Sequence, residues 1–259
     1  MLLSSDKNIR IKNLIKLSEK SRERKSQKKF VVEGVQENFY ALQNHFQPLE
    51  FYIQPEIFQS ALELPSAEIY EVSQEVYQKI AYRKITEGFI GVYQYPDREL
   101  EEVCLPENAF ILVIESVEKP GNLGAICRTA DALGAAMVVL CEEKADIYNP
   151  NVIRSSVGSV FNIPVISAKN EKVYQYLCSH KIPAYATYMD KTSVYLQDMD
   201  LTHSCAVIFG TEHSGISSFW KDRMSANVLI PMAGEIDSLN VSNAAAITCY
   251  EVLRQKRVL

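Results

Sequence analysis

Apolar positions along this chain fall into short continuous runs, separated by segments in which they recur every three or four residues. Residues 7–29 open the pattern as a helix, with Ile11, Leu14, Ile15 and Leu17 on one stripe. Phe30-Val31-Val32 then reads as a strand and residues 33–43 as a helix. Runs at 49–53, 67–72 and 88–93 predict further strands, with helical stretches at 55–62 and 74–80 between them. Proline and charge interrupt the pattern over 95–108, after which it restarts. Residues 110–114 are wholly apolar, as in a strand buried on both faces, and similar runs recur at 137–140, 163–166, 184–187, 206–209 and 228–230. Helical spacing over 123–133, 150–157, 171–180, 214–223 and 241–255 separates them. Strands alternating with helices in this way predict a mostly parallel sheet covered on both faces. Ligands of such sheets sit beyond the carboxyl ends of the strands, so the loops after Ile114, Phe209 and Ile230 are the places to look for chemistry.

Composition narrows the class. The chain has 259 residues, 47% hydrophobic and 23% charged, enough apolar content to offset chain entropy, which excludes global disorder. The longest apolar runs, 109–114 and 133–141, fall far short of the ~20 residues a membrane-crossing helix needs. Met1-Leu2-Leu3 gives way at once to Ser4, Ser5, Asp6 and Lys7, so no secretory leader is expected and the cytoplasm is the default address. Six cysteines without a C-x-x-C pair read as reduced, mostly buried thiols, and four histidines show no ligand spacing with them, so no metal is expected. Charge is unevenly placed. Between Lys7 and Lys29 ten Lys or Arg stand against Glu19 and Glu23, net +8, which leaves −13 on the rest of a chain whose net charge is −5. Such a segment is either the solvated face of an amphipathic helix or a local hold on a phosphate backbone, and charge alone leaves both open.

The three loops carry unusual residues. In the first, Pro120, Gly121 and Asn122 open a helix whose free N–H groups favour an anion, and Arg128 lies six residues further on, within reach of the same loop. The G-x-G-x-x-G fingerprint of a dinucleotide fold is absent. In the second, Phe209-Gly210-Thr211-Glu212-His213-Ser214-Gly215, glycine at a strand end lets a ligand approach the backbone, and Glu212 precedes a helix. In the third, Ile230-Pro231-Met232 leads through Gly234 to Ser238-Leu239-Asn240-Val241-Ser242. Ser238 or Asn240 is placed to cap the final helix, and Ala244–Ala246 gives that helix a small-residue face.

Taken together, Asn122 and Arg128, then Gly210, Glu212 and Gly215, then Ile230-Pro231-Met232 with Ser238–Ser242, resemble the three motifs of the SpoU (TrmH-like) RNA ribose 2′-O-methyltransferases of the SPOUT superfamily, in order over residues 108–259. Phe30–Val35 and Ile85–Val92 resemble stretches of the substrate-binding domain that often precedes this catalytic domain and is similar to the L30e/L7Ae ribosomal fold. The resemblance implies an RNA-binding α/β domain over 1–100, a linker over 101–107 and a trefoil-knotted α/β methyltransferase domain over 108–259. It implies S-adenosylmethionine as methyl donor, held at Thr187, Gly210, Ile230 and Leu239, and a homodimer without metal. Of the matching positions, Arg128 would bind the target phosphate and help deprotonate the hydroxyl, and Asn122 would orient Arg128 or the ribose. Glu212 would position the loops, and Ser238 and Asn240 would bond phosphate or their own backbone. Glu115 stands where the family often has Asp. The preceding domain favours large-subunit ribosomal RNA over transfer RNA as substrate. A non-catalytic RNA-binding or ribosome-assembly protein is the alternative on the same fold, and a Rossmann oxidoreductase is disfavoured by the missing fingerprint.

The chemistry suits these residue types. A ribose 2′-hydroxyl is a poor nucleophile, so its proton must leave as the methyl arrives. A sulfonium donor needs neither metal nor covalent intermediate, and proximity with in-line geometry does much of the work.

Overall fold

The computed structural model describes residues 2–83, 86–211, 215–236 and 238–256. They form two compact units: residues 1–97 with 146–162, and residues 98–145 with 163–259.

In the first unit, β1 (Leu2–Leu3) is followed by α1 (Ile9–Glu19) and α2 (Ser21–Gln27). The single expected helix over 7–29 is thus two, broken at Lys20, whose extended backbone ends α1. Next come β2 (Lys29–Glu33), α3 (Val35–Gln43), β3 (Pro48–Ile53), β4 (Glu68–Val72), α4 (Gln74–Ile80) and β5 (Phe89–Gln94). The five strands lie in the order β1-β4-β3-β5-β2, antiparallel across β3-β5-β2 and parallel across β3-β4-β1. One face packs Ile11, Leu14 and Leu17 of α1 into a core with Tyr52, Val72, Tyr77 and Val92. The helix expected over 55–62 does not form. Gln54 instead closes a single turn, its carbonyl accepting from the Phe58 N–H at 2.9 Å and its Oε1 from the Ile57 N–H at 2.7 Å, and Phe58 stacks on Phe89 at 4.8 Å. A ring in a tertiary stack fixes this segment where helical spacing alone would have continued it.

Residues 146–162 fall inside the 108–259 stretch expected to be one domain, yet they pack in the first unit. Tyr148 stacks on Phe30 at 4.3 Å and Phe161 meets Phe46 at 5.0 Å, while α6 (Pro150–Ser155) lies along β2. These aromatic contacts, remote in sequence, decide the segment's membership.

The second unit contains β6 (Phe110–Glu115), α5 (Pro120–Ala132), β7 (Met137–Cys141), β8 (Val165–Ala168), α7 (Asn170–Ser179), β9 (Ala184–Thr187), β10 (Val194–Tyr195), β11 (Cys205–Phe209), α8 (Ser218–Lys221), β12 (Ala226–Leu229) and α9 (Val241–Lys256). All seven strands are parallel, in the order β10-β12-β9-β11-β6-β7-β8. The order turns back between β6 and β11: the chain runs outward from β6 to β7 and β8, and the later strands lie on the other side. Strands β6, β7 and β11 are buried along their whole length, as their unbroken apolar runs require. Helix α8 is shorter than the segment expected over 214–223, because Gly215 takes a left-handed φ of 64° and exchanges both backbone hydrogen bonds with Thr211. Among the described residues no helix is long and apolar enough to cross a membrane.

Candidate functional site

The carboxyl ends of β9, β11 and β12 surround a cavity of about 320 Å³. Thr187, Gly210, Ile230 and Leu239, the four positions expected to hold the cofactor, all line it, and Ser238 joins them. The sequence reading did not single out Tyr188, Met189, Thr211, Leu229, Met232, Val241 or Ala244 as lining residues. Their adjacency to the motif residues was the available signal. Most of the wall is aliphatic or main chain, with no lysine or arginine among the described lining residues. That mixture suits a ligand with a flat apolar ring and a cationic centre.

Local structure explains the wall. The Thr187 hydroxyl donates to the Ile208 carbonyl at 3.1 Å, so its oxygen faces a ligand as an acceptor. At Gly210 the direction a Cβ would take runs into the backbone of Gly215 and Ile216. Glycine is needed there for the second loop to fold back on itself, and Gly210 also lines the cavity. Asp190, just past Met189, accepts from the Asn227 side chain at 2.7 Å and from the Thr192 hydroxyl and N–H, both at 2.7 Å. The Thr192 hydroxyl and the other donors hold this carboxyl below its ordinary range, and they tie the β9 loop to β12.

A buried carboxylate braces the second loop from below. Glu115, at the end of β6, accepts from the Ser217 N–H at 2.8 Å and from the Asn170 amide at 2.9 Å, and Asn170 in turn accepts from the Trp220 indole at 2.9 Å. In the sequence Glu115 stood out only as a replacement for Asp.

The remaining motif residues lie on α5 and at the start of α9, two helices that pack together. Asn240 caps α9: its Oδ1 accepts from the Ser242 N–H at 2.9 Å, and its carbonyl from the Asn243 and Ala244 N–H groups, both at 3.0 Å. Its Nδ2 donates to Oδ1 of Asn122 at 3.3 Å, linking the first and third loops. Ser238 lines the cavity and leaves the cap to Asn240. Arg128 is exposed on α5, is not among the residues lining the cavity, and its side chain makes no hydrogen bond or ion pair with a described residue. At 3.6 residues per turn Asn122 and Arg128 stand about 120° apart, on the two edges of one solvent-facing arc that also carries Ala125 and Thr129. Glu212 and His213 lie outside the described residues.

Four of the six cysteines are buried, and burial pushes the thiols of Cys127 and Cys249 up to about 12 and that of Cys205 up to about 11, so these are packing groups rather than nucleophiles. Among the described residues no group of three His, Cys, Asp or Glu could hold a metal ion.

Comparison with known proteins agrees with this geometry. The SpoU rRNA Methylase family profile matches residues 109–250, and the MRM3-like substrate binding domain profile matches residues 8–91. The chain is 30% identical over 251 residues to the 23S rRNA (guanosine(2553)-2′-O)-methyltransferase RlmP of Bacillus subtilis (strain 168), a match covering 96% of this chain and 98% of that protein. It is 31% identical over 172 residues to the 23S rRNA (uridine(2479)-2′-O)-methyltransferase of Streptomyces viridochromogenes, where the match spans 64% of this chain and 60% of the relative's length. Among solved structures, the AdoMet-bound rRNA methyltransferase from Sinorhizobium meliloti superposes with a TM-score of 0.91 at 26% identity, covering 100% of this chain and 98% of that one. With a methylase profile over more than half its length, the chain belongs to the SpoU rRNA methylase family.

Proposed function

We propose that this protein transfers the methyl group of S-adenosylmethionine to a ribose 2′-hydroxyl of 23S ribosomal RNA. One observation carries the reading: Thr187, Gly210, Ile230, Ser238 and Leu239, drawn from three separate stretches of the chain, line a single cavity at the carboxyl ends of a parallel sheet. The donor fits it, because aliphatic walls suit an adenine, the Thr187 oxygen accepts from an amine N–H, and no lysine or arginine among the described lining residues opposes the sulfonium.

When bound, S-adenosylmethionine supplies an electrophilic methyl, whose transfer forms an oxygen–carbon bond, breaks the carbon–sulfur bond and leaves a neutral thioether. The backbone at Gly210, Ile230 and Leu239 holds the donor, and the tie from Asp190 to Asn227 keeps the β9 side of the wall in place. Arg128, exposed and unengaged by the described residues, takes the phosphate beside the target ribose. Its permanent charge favours the alkoxide that develops as the hydroxyl proton passes to solvent water. Asn122, steadied by Asn240, orients Arg128 or the ribose. Ser238 and Asn240 bond phosphate or motif backbone, and Glu212 positions the loops and the nucleotide.

The first unit is the substrate-binding unit of this reading. The two 23S rRNA relatives act on a guanosine and on a uridine, which supports selection of the nucleotide by RNA shape rather than by the methyl-transfer pocket. The active form is a homodimer. Ile247 and Tyr250 share the outer face of α9 and are 41% and 60% exposed, the kind of apolar surface a partner subunit covers.

Mapping 2′-O-methyl positions in ribosomal RNA from cells with and without the gene tests the function. Loss of one position in 23S rRNA, restored by the purified protein with S-adenosylmethionine, is the expected result. An unchanged map together with no labelled methyl transfer would sink it.

A further inference from the structure

No described residue of the strongly basic N-terminal segment lines the cavity. Seven of the segment's ten cations fall into two sets. Arg10 pairs with Glu50 and Glu68, Lys29 with Glu50 and Lys28 with Asp97. Lys12, Lys16, Lys20 and Arg22 are exposed and make no ion pair or hydrogen bond through their side chains with any described residue. Lys12 and Lys16 are one turn apart on the outward face of α1, about 6 Å along its axis, opposite the buried Ile11, Leu14 and Leu17. Lys20 and Arg22 continue the array round the corner into α2.

This corner is built rigidly. Arg24 is fully buried. Its Nε donates to Oδ2 of Asp146 at 2.6 Å, and its Nη1 donates to the Leu17 and Ser18 carbonyls at 2.7 and 3.0 Å, in the last turn of α1. Asn13 and Gln27 exchange side-chain amide hydrogen bonds at 3.0 and 2.9 Å, and Gln27 also donates to Glu23 at 3.0 Å, which engages one of the two acids of the segment. Four cations without a partner among the described residues, carried on two helices braced against each other in a chain that is otherwise acidic, form a site for a polyanion with regularly spaced charges.

We propose that the α1–α2 corner is the surface on which the phosphate backbone of the ribosomal RNA substrate docks, with Lys12, Lys16, Lys20 and Arg22 as the phosphate contacts. The proposal deepens the methyltransferase reading and rests on it for the identity of the RNA. Because these contacts touch backbone only, they supply affinity and register and leave the choice of nucleotide to other residues.

The test compares the wild-type chain with a variant carrying Lys12→Gln, Lys16→Gln, Lys20→Gln and Arg22→Gln. A control carries Lys181→Gln and Lys191→Gln, at exposed positions of the second unit. Binding to in vitro transcribed 23S rRNA is measured between 50 and 300 mM KCl, and S-adenosylmethionine uptake is measured by calorimetry on the same preparations. The expected result is an affinity loss of at least about tenfold at 100 mM salt and a log–log salt slope shallower by about three, with donor uptake and unfolding midpoint unchanged. The control should match wild type. An unchanged affinity and slope in the fourfold variant would overturn the docking surface while leaving the enzymatic reading intact. Failure of the wild type to take up the donor would instead strike the enzymatic reading. Retained RNA binding with lost binding to protein-containing ribosomal particles would assign the corner to a protein partner and also overturn the proposal.

Discussion

Asn240 and Asn122, 118 residues apart, meet at 3.3 Å through the Nδ2 of one and the Oδ1 of the other, while the Oδ1 of Asn240 caps α9. One side chain thus both starts the helix behind the cavity and ties it to the first turn of α5, which carries Asn122. Asn240→Asp separates the two tasks, because a carboxylate can still accept from the Ser242 N–H but cannot donate to Asn122. The expected outcome is an unfolding midpoint near that of wild type with methyl transfer reduced about tenfold, whereas Asn240→Ala also loses about 1 kcal/mol of capping. Thermal unfolding and single-turnover methylation of 23S rRNA distinguish them.

Arg128 has no structural partner among the described residues, so its removal should cost chemistry and little stability. Arg128→Ala is expected to bind S-adenosylmethionine as wild type does and to lose turnover by about 10²- to 10³-fold. Arg128→Lys keeps the charge without the planar fork and should recover only part of the activity. Retained methylation in the alanine variant would remove Arg128 from the mechanism.

Gly210 is packed against the backbone of Gly215 and Ile216 with no room for a side chain. Gly210→Ala must displace the second loop, with an expected cost of about 1–3 kcal/mol and a marked weakening of donor binding. Gly215 has open space where its Cβ would stand but a φ of 64°, so Gly215→Ala is strained through its backbone alone, by about 1 kcal/mol. Calorimetric donor titration of both variants tests the difference.

Glu115 holds Ser217 and Asn170 with neutral donors only. Glu115→Gln turns an amide N–H against one of them and leaves that donor unsatisfied, a loss of about 1–3 kcal/mol. Since Ser217 ends the loop containing Gly210 and Gly215, donor affinity should fall together with the unfolding midpoint. A variant with full stability and full affinity would show that the brace is dispensable.

Tyr250 lies exposed on α9 beside the partly open Ile247. If that face joins two subunits, Tyr250→Glu should shift sedimentation from dimer to monomer at micromolar concentration. A wild-type protein that sediments as a monomer throughout that range would refute the dimer.

The alternation of apolar runs with helical spacing was enough to identify the parallel sheet of the second unit, because β6, β7 and β11 are buried on both faces and must be apolar at every position. The loops bearing Asn122, Gly210 and Asn240 were legible for a related reason: turns, caps and tight backbone approaches admit few residue types, so their chemistry is written locally. Tertiary structure alone decided three things. It closed Thr187, Gly210, Ile230 and Leu239 round one cavity, since which strand ends are neighbours follows from the sheet order rather than from chain order. It placed residues 146–162 in the first unit, through Tyr148 against Phe30 and Asp146 on the buried Arg24, partners more than a hundred residues away that no local pattern encodes. And it sorted the N-terminal cations into paired and unpaired, because the acids that neutralise Arg10, Lys28 and Lys29 come from distant strands and loops.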